Sequence, residues 1–78
     1  MKFKEVEIIK DPSFGSIKFI ANYNKYHNAD MLEKFATCMP RKGDVICIID
    51  KNTHQRVFLQ VRYVAIDYDK DTMTIWCK

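Results

Sequence analysis

The chain has 78 residues and a net charge of +3, with charges distributed along the sequence rather than gathered in one tail. A chain of this length forms one domain and buries only about 60–65% of its unfolded surface, so its core is thin. No stretch reaches the ~20 apolar residues that span a bilayer, and no secretory signal follows the first residue. We therefore expect one complete domain, 1–78, in the cytoplasm and away from membranes.

The chain has three cysteines, an odd number, and no Cys-x-x-Cys pair. A disulfide framework requires an even number of cysteines. We therefore expect Cys38, Cys47 and Cys77 to be reduced and to act as small apolar residues.

Two short runs near the amino terminus predict a β-hairpin. Residues 2–9 alternate loosely between apolar and charged side chains, and residues 16–21 place their apolar side chains on one face. Residues 11–15 separate the two runs and contain a proline and a glycine, which favour a turn.

One short helix is expected after residue 28. Asp30 and Glu33 have the spacing of a capping box, and Pro40 disfavours helix at the residue before it. Four apolar residues between these signals form one helical stripe: Met31, Leu32, Phe35 and Ala36. A helix of about two turns is stable only when packed, so we expect it to lie on a sheet.

Three further strands are predicted in the second half. Residues 45–49 are apolar at every position, which predicts the most buried strand. Residues 56–68 form the longest strand-like run, and their apolar residues change parity after Arg62, which predicts a bulge or bend. A turn at residues 69–72 then leads into a last strand at residues 73–77.

These elements predict a single α+β domain with the order β-β-α-β-β-β. Short connections favour antiparallel neighbours, so we expect a five-stranded, strongly bent antiparallel sheet or an SH3-like small barrel with one short helix. The predicted core consists of Phe19, Cys47, Ile49, Leu59, Val61, Val64, Ile66 and Ile75.

No metal, cofactor or catalytic site is expected. His27, Cys38, Cys47 and His54 are suitable zinc ligands, but none of them form the closely spaced pairs of a zinc site. A Cys-His pair of Cys38 with either histidine lacks any sign of an oxyanion hole or an orienting group. We therefore expect a protein that is not an enzyme.

Asp67, Asp69 and Asp71 match the first three ligands of an EF-hand loop. Such a loop also needs glycine at its sixth position and glutamate at its twelfth, which here are Thr72 and Lys78. We therefore expect a hairpin turn whose aspartates face water.

Residues 22–28 show neither the alternation of a strand nor the apolar spacing of a helix, which predicts a loop. Their sequence is Asn-Tyr-Asn-Lys-Tyr-His-Asn. Tyrosine gives a stiff contact area with a polar tip and asparagine adapts its hydrogen bonds, a mixture typical of binding surfaces. The predicted partner-binding residues are Tyr23, Asn24, Lys25, Tyr26 and His27. The alternative is structural, with one tyrosine packed on the sheet and the asparagines holding turns.

Basic residues on both sides of residues 45–49 suggest a nucleic-acid-binding alternative. The candidates are Arg41, Lys42, Lys51, Arg56 and Arg62, with His54 beside them. Small barrels that bind nucleic acid combine such charge with rings that stack on bases, here Phe58, Tyr63 and Trp76. If those rings lie in the core, the basic residues are simply a solvated surface.

Three motifs carry a resemblance to a known group of proteins. They are Pro40-x-x-Gly43-Asp44-x-Ile46, Val61-x-x-Val64-x-x-Asp67-Tyr68 and Thr74-Ile75-Trp76. The carboxy-terminal half that contains them resembles the small SH3-like barrel proteins common in bacteriophage and prophage genomes.

The resemblance implies a compact accessory protein that acts by binding. Such proteins include inhibitors of host defence systems, for example anti-CRISPR proteins that act on CRISPR-Cas. We therefore expect a non-catalytic module that binds a protein partner stoichiometrically, with nucleic-acid binding as the alternative.

Overall fold

The computed structural model describes residues 2–10, 21–50 and 53–78, and of residues 21–23 it describes the backbone alone. The elements in chain order are β1 (Glu5–Lys10), β2 (Ala21–Tyr26), α1 (Ala29–Thr37), β3 (Val45–Ile49), β4 (Arg56–Asp67) and β5 (Thr72–Cys77). The five strands form one curled half-barrel sheet in the spatial order β2-β1-β5-β4-β3. The predicted α+β class and the element order are confirmed.

The sheet is mixed, and the prediction of an antiparallel sheet was wrong at one junction. β1 runs parallel to β5, from the pair Glu5 and Thr72 to the pair Lys10 and Cys77. The other three strand pairs are antiparallel. Short connections predict the direction of strands that follow one another. They do not fix the direction of β1 relative to β5, because the two strands are distant in sequence.

β1 and β2 form an antiparallel pair, as predicted, but β2 continues beyond residue 21, the predicted end of the second strand. The predicted turn at 11–15 and all but the last residue of the predicted strand 16–21 lie outside the described part. Residues 22–26, which belong to the predicted loop 22–28, instead lie in β2, whose Tyr26 is opposite Val6. Tertiary contacts of its polar side chains outweigh the weak strand propensity of asparagine and lysine.

Helix α1 begins earlier than the sequence predicts, because Asn28 and not Asp30 is its N-cap. The Asn28 Oδ1 accepts hydrogen bonds from the backbone N–H groups of Asp30 and Met31, at 2.9 and 3.2 Å. The predicted apolar stripe is confirmed, with Leu32 buried and Phe35 packed against the core. In the part of the chain that the structure describes, no helix is long and apolar enough to cross a membrane.

β3 is an edge strand, and the prediction that it is the most buried strand was wrong. Only Ile48 is buried, whereas Val45, Cys47 and Ile49 are exposed. The core assignments of Cys47 and Ile49 were therefore wrong as well. A run that is apolar at every position has an apolar outer face, but it does not reveal whether another element covers that face.

The predicted change of parity in β4 is confirmed. The register with β5 shifts between Val61 and Tyr63, which makes Arg62 an extra residue in the strand. Residues 56–60 of β4 pair with β3, and from Val61 onwards β4 pairs with β5. A bulge bends a strand and increases its twist. β4 therefore turns the corner of the half-barrel.

The core lies on the concave side of the sheet, under α1. Leu59, Val61 and Ile75 are buried as predicted, and Val64 and Ile66 pack against them half-buried. The predicted Phe19 lies outside the described residues. The buried cluster consists of Phe3, Val6, Ile8, Leu32, Ile48, Leu59, Val61, Met73, Ile75 and Cys77.

Candidate protein-binding surface

The outer face of the β3–β4 hairpin carries a group of exposed apolar side chains. Val45, Ile49 and Phe58 are 62%, 47% and 69% exposed. Cys47 is directly opposite Phe58, so Val45 and Ile49 are diagonal neighbours of the ring on the same face. We call Val45, Cys47, Ile49 and Phe58 the outer patch. The solvent face of an antiparallel pair is ordinarily polar, and an exposed apolar group on it indicates an interaction site.

A second aromatic feature lies beyond the bulge. Tyr63 and Trp76 are opposite each other on β4 and β5, with ring centroids 5.7 Å apart and planes inclined by 28°. Tyr63 is 51% exposed and Trp76 is half-buried. Together with Phe58, the rings that the sequence offered for base stacking therefore lie outside the core.

The two edge strands approach each other at Asn24. Its Nδ2 donates hydrogen bonds to the Ile49 carbonyl at 3.2 Å and to the Tyr26 hydroxyl at 2.9 Å. Asn24 is only 4% exposed, and its Oδ1 accepts no hydrogen bond from the residues that the structure describes. Burial raises the pKa of Tyr26, and the Asn24 hydrogen bond opposes that increase.

An open groove separates α1 from β3. It has a volume of about 530 Å³, and its lining includes Met31, Phe35, Ile46 and Cys47. A second cavity of about 460 Å³ shares Met31 and Cys47 and reaches Asn24. We call the two together the α1–β3 groove.

The backbone of β3 presents hydrogen-bonding groups to this groove. The flanking residues both bond to β4: the Asp44 carbonyl accepts from Val61 N–H, and Asp50 N–H donates to the Gln55 carbonyl, each at 2.8 Å. Ladder bonds recur at every second residue, so the even-numbered residues of β3 bond to β4. The odd-numbered residues direct their N–H and C=O groups to the edge away from β4: Val45, Cys47 and Ile49.

The predicted partner-binding residues are divided between the two faces of β2. Asn24 and Tyr26 face inward, and the Tyr26 ring lies 5.4 Å from that of Phe35. On the other face, Lys25 Nζ lies 3.4 Å from Glu7 Oε2. His27 Nε2 lies 3.5 Å from Glu5 Oε1. The side chain of Tyr23 lies outside the described part. For Tyr26, the arrangement matches the structural alternative that the sequence left open.

The candidate basic residues are divided between the two ends of the β3–β4 hairpin. Arg41 and Lys42 precede β3, at the end where Gly43 N–H donates to the Val61 carbonyl at 2.9 Å, beside Arg62. Arg56 is opposite Ile49 at the other end, and its guanidinium lies 3.5 Å from Cys47 Sγ. Lys51 lies outside the described residues. One continuous basic patch is therefore not formed by the four described residues.

The cysteines occupy unlike environments. All three are free, with Cys38 and Cys47 exposed and Cys77 buried, so the apolar core role fits Cys77 alone. Burial raises the pKa of Cys77 to about 11, which keeps its thiol protonated at neutral pH. Across residues 2–10, 21–50 and 53–78, no group of three or more His, Cys, Asp or Glu side chains is arranged to hold a metal ion.

The three aspartates near the end of the chain belong to the β4–β5 hairpin turn. Asp67 Oδ1 accepts hydrogen bonds from the N–H groups of Asp69 and Lys70, at 3.0 and 3.1 Å. Asp71 has a positive φ of 55°. The predicted hairpin turn is therefore confirmed, with Asp67 as the residue that fixes it.

Comparison of the chain with family models, with curated proteins and with solved structures found no match. The candidate surface therefore rests on the geometry of the outer patch alone. Sequence reasoning missed the outer patch because it took residues 45–49 as the most buried strand and assigned Cys47 and Ile49 to the core. One signal was available: Phe58 lies between Arg56 and Gln60, which places an aromatic ring on the polar face of β4.

Proposed function

We propose that the protein is a non-catalytic cytoplasmic module that binds another protein stoichiometrically through the outer patch. The observation that supports this is the exposure of three large apolar side chains on one face of the β3–β4 hairpin. A monomer gains nothing from leaving them in water. Burying a side chain of the size of valine, isoleucine or phenylalanine contributes about 1.5–3 kcal/mol.

The patch has the composition of an interface centre. Phe58 is a rigid aromatic anchor, and Val45 and Ile49 extend the apolar area beside it. Arg56 and Gln60 flank Phe58 on the same face and supply polar groups for a rim. Protein interfaces combine an apolar, aromatic centre with such a polar rim, and a few anchors carry most of the binding energy.

The resemblance of the carboxy-terminal half to phage accessory barrels supports a partner class. Proteins of that kind act by binding, and some inhibit host defence systems such as CRISPR-Cas. A host defence protein is therefore the first partner to test. This part of the proposal rests on the resemblance, whereas the outer patch supports protein binding without it.

A second candidate function is binding of single-stranded nucleic acid. The observation that favours it is the Tyr63–Trp76 pair, a stacked and partly exposed platform beside Arg62. Bases stack on such rings while basic side chains follow the backbone. The separation of the other basic residues weakens this candidate, because it leaves no continuous path for phosphates.

The test compares two exposed aromatic residues. Tagged wild-type protein and the variants Phe58→Ser and Tyr68→Ser are used to capture proteins from a host lysate. Tyr68 is 70% exposed but lies in the β4–β5 turn, away from the outer patch, so it is the matched control. We expect wild type and Tyr68→Ser to retain the same protein in a fixed ratio, and Phe58→Ser to lose it. Equal capture by both variants contradicts the proposal.

The salt dependence of binding distinguishes the nucleic-acid function from the protein-binding function. Labelled single-stranded and duplex DNA and RNA are titrated with the protein from about 0.05 to 0.5 M salt, since phosphate contacts weaken steeply over such a range. The protein partner should be retained across the same range. Salt-sensitive binding that Tyr63→Ala removes supports the nucleic-acid function instead. No binding at low salt ends it.

A further inference from the structure

We propose that an extended segment of a partner protein adds to β3 as a sixth strand and lies in the α1–β3 groove. The segment is apolar at alternate positions and acidic at its ends. This inference rests on the proposed protein-binding function and deepens it by naming the mode of binding and the chemistry of the partner. The proposed segment would contact the edge and the inner side of β3, whereas the outer patch lies on the exposed face of the β3–β4 hairpin.

The backbone of β3 provides the first part of the site. Val45, Cys47 and Ile49 direct their N–H and C=O groups away from β4, and among these the Ile49 carbonyl is already bound by Asn24. An extended chain that lies beside β3 forms ladder bonds with the remaining groups. Strand addition of this kind obtains affinity from the main chain and specificity from the pockets that take alternate side chains.

The α1–β3 groove provides those pockets. Residues of an added strand that are opposite Ile46 and Ile48 share their inward direction. They enter the groove, where Met31 and Phe35 of α1 form the other wall. Residues opposite Cys47 share its outward direction and extend the outer patch. Apolar residues at alternate positions of the segment therefore fill the groove.

Asn24 provides an independent indication of a ligand. Its Oδ1 is a buried acceptor that no described residue satisfies, and the side chain lines the groove at the end where β2 meets β3. Buried polar groups in folded proteins almost always have a hydrogen-bond partner. The N–H groups of an added strand alternate between β3 and the opposite side. An N–H at the end of the segment, on the side away from β3, reaches towards Asn24.

Charge selects the ends of the segment. Lys34 lines the groove on the α1 side, and His54 and Arg56 line it near Asn24. Asp44 is the one acidic residue among the described lining residues of the two cavities. Glutamate or aspartate on either side of the apolar positions is therefore complementary to this rim.

A second copy of the chain is a poorer occupant. Two β3 strands form the most hydrogen bonds when they pair antiparallel about Cys47. That register sets Asp44 of one copy opposite Asp50 of the other, and like charges directly opposite each other destabilise a sheet. It also brings the basic residues that line the groove of one copy towards those of the other: Lys34, His54 and Arg56. The charge pattern therefore favours an acidic segment of a different protein.

The test uses a displayed library of random eight-residue peptides, selected on the full chain. Enriched peptides are measured against wild type, Cys47→Pro and Cys47→Ala. Proline removes the Cys47 N–H, which faces the edge and not β4, so the β3–β4 ladder is kept, and alanine keeps that N–H. We expect peptides with alternate apolar residues and acidic ends. Their affinity should fall about tenfold or more in Cys47→Pro and remain within about twofold in Cys47→Ala.

Amide exchange gives a measurement that does not depend on the folding of Cys47→Pro. Adding a selected peptide to wild type should protect the amides of Val45, Cys47 and Ile49, and it should shift the side-chain amide signals of Asn24. No enriched peptide, equal binding by Cys47→Pro, or unchanged protection of β3 overturns the proposal. A dimer of wild type that Cys47→Pro abolishes overturns it in favour of a second copy.

The two proposals fail in different ways. If the lysate partner is lost with Phe58→Ser but retained by Cys47→Pro, the protein is a binding module and strand addition is wrong. If no protein is captured at all while selected peptides still protect β3, the edge binds peptides and the outer patch is not the site.

Discussion

The side chain of Asn24 holds the two edge strands of the sheet together by donating a hydrogen bond to the carbonyl of Ile49 at 3.2 Å. The two residues are at opposite ends of the strand order, β2 and β3. Among the residues that the structure describes, this contact joins the two margins of an open sheet. It accounts for a half-barrel that is closed near Ile49 and open along Val45 and Cys47.

Replacement of Asn24 by alanine should destabilise the protein by about 1–3 kcal/mol. The change removes the bond to the Ile49 carbonyl and leaves the Tyr26 hydroxyl without its Asn24 partner, and unsatisfied buried groups cost about this much. Urea unfolding measures the effect. Gln60→Ala, an exposed change on β4, is the control and should stay within about 0.5 kcal/mol. A neutral Asn24→Ala would show that the edge-to-edge contact is unimportant for stability.

Replacement of Tyr26 separates a structural role from a binding role. Its ring packs on Phe35 half-buried, so Tyr26→Ala should cost about 2 kcal/mol, less than the ~3–5 kcal/mol of a fully buried aromatic residue. Tyr26→Phe keeps the ring and should cost about 1 kcal/mol, the value of one hydrogen bond. Thermal melts measure both, with Tyr68→Ala as an exposed control. A neutral Tyr26→Ala would return Tyr26 to the list of candidate binding residues.

Hydrogen exchange should alternate along β3. The amides of Ile46 and Ile48 face β4 and should exchange slowly, whereas those of Val45, Cys47 and Ile49 face the edge and should exchange fast. β1 and β5 lie in the interior of the sheet, so we expect the slowest exchange there. NMR of the free protein measures each amide. Uniform protection of residues 45–49 would show that something already covers the edge.

The protein should lose stability as the pH rises through the range in which Cys77 ionises. Burial raises the pKa of Cys77 from 9.0 to about 11, so the unfolded chain releases this proton first. The stability from the protonated thiol is therefore complete below pH 9.0 and falls from there towards pH 11. Urea unfolding at a series of pH values across this range gives the free energy of unfolding at each pH. This free energy should fall less steeply with pH for Cys77→Ala than for wild type. Identical slopes would contradict the assignment, and the raised pKa of Tyr26 leaves a residual slope in both.

The sequence predicted local features well and the surroundings of strands poorly. The bulge at Arg62 follows from the parity of Val61 and Val64, because side-chain direction alternates within a strand. The exposure of β3 cannot be predicted from its sequence, because an all-apolar run is compatible both with an edge strand and with a central strand. The inward direction of Asn24 in β2 could not be predicted either, because it also depends on a neighbouring strand. Asn24 is polar, and only its contact with Ile49 makes a buried position acceptable.

The parallel pairing of β1 with β5 has a consequence for how the chain assembles. The strands β3, β4 and β5 follow one another as a meander, and β1 and β2 form a hairpin of their own. The pair Glu5 and Thr72 joins these two local units across 72 − 5 = 67 positions of the chain. Contacts this distant in sequence carry the largest loop-closure entropy and slow folding. We therefore expect the two units to form early and their docking along the β1–β5 ladder to be the slow step of folding.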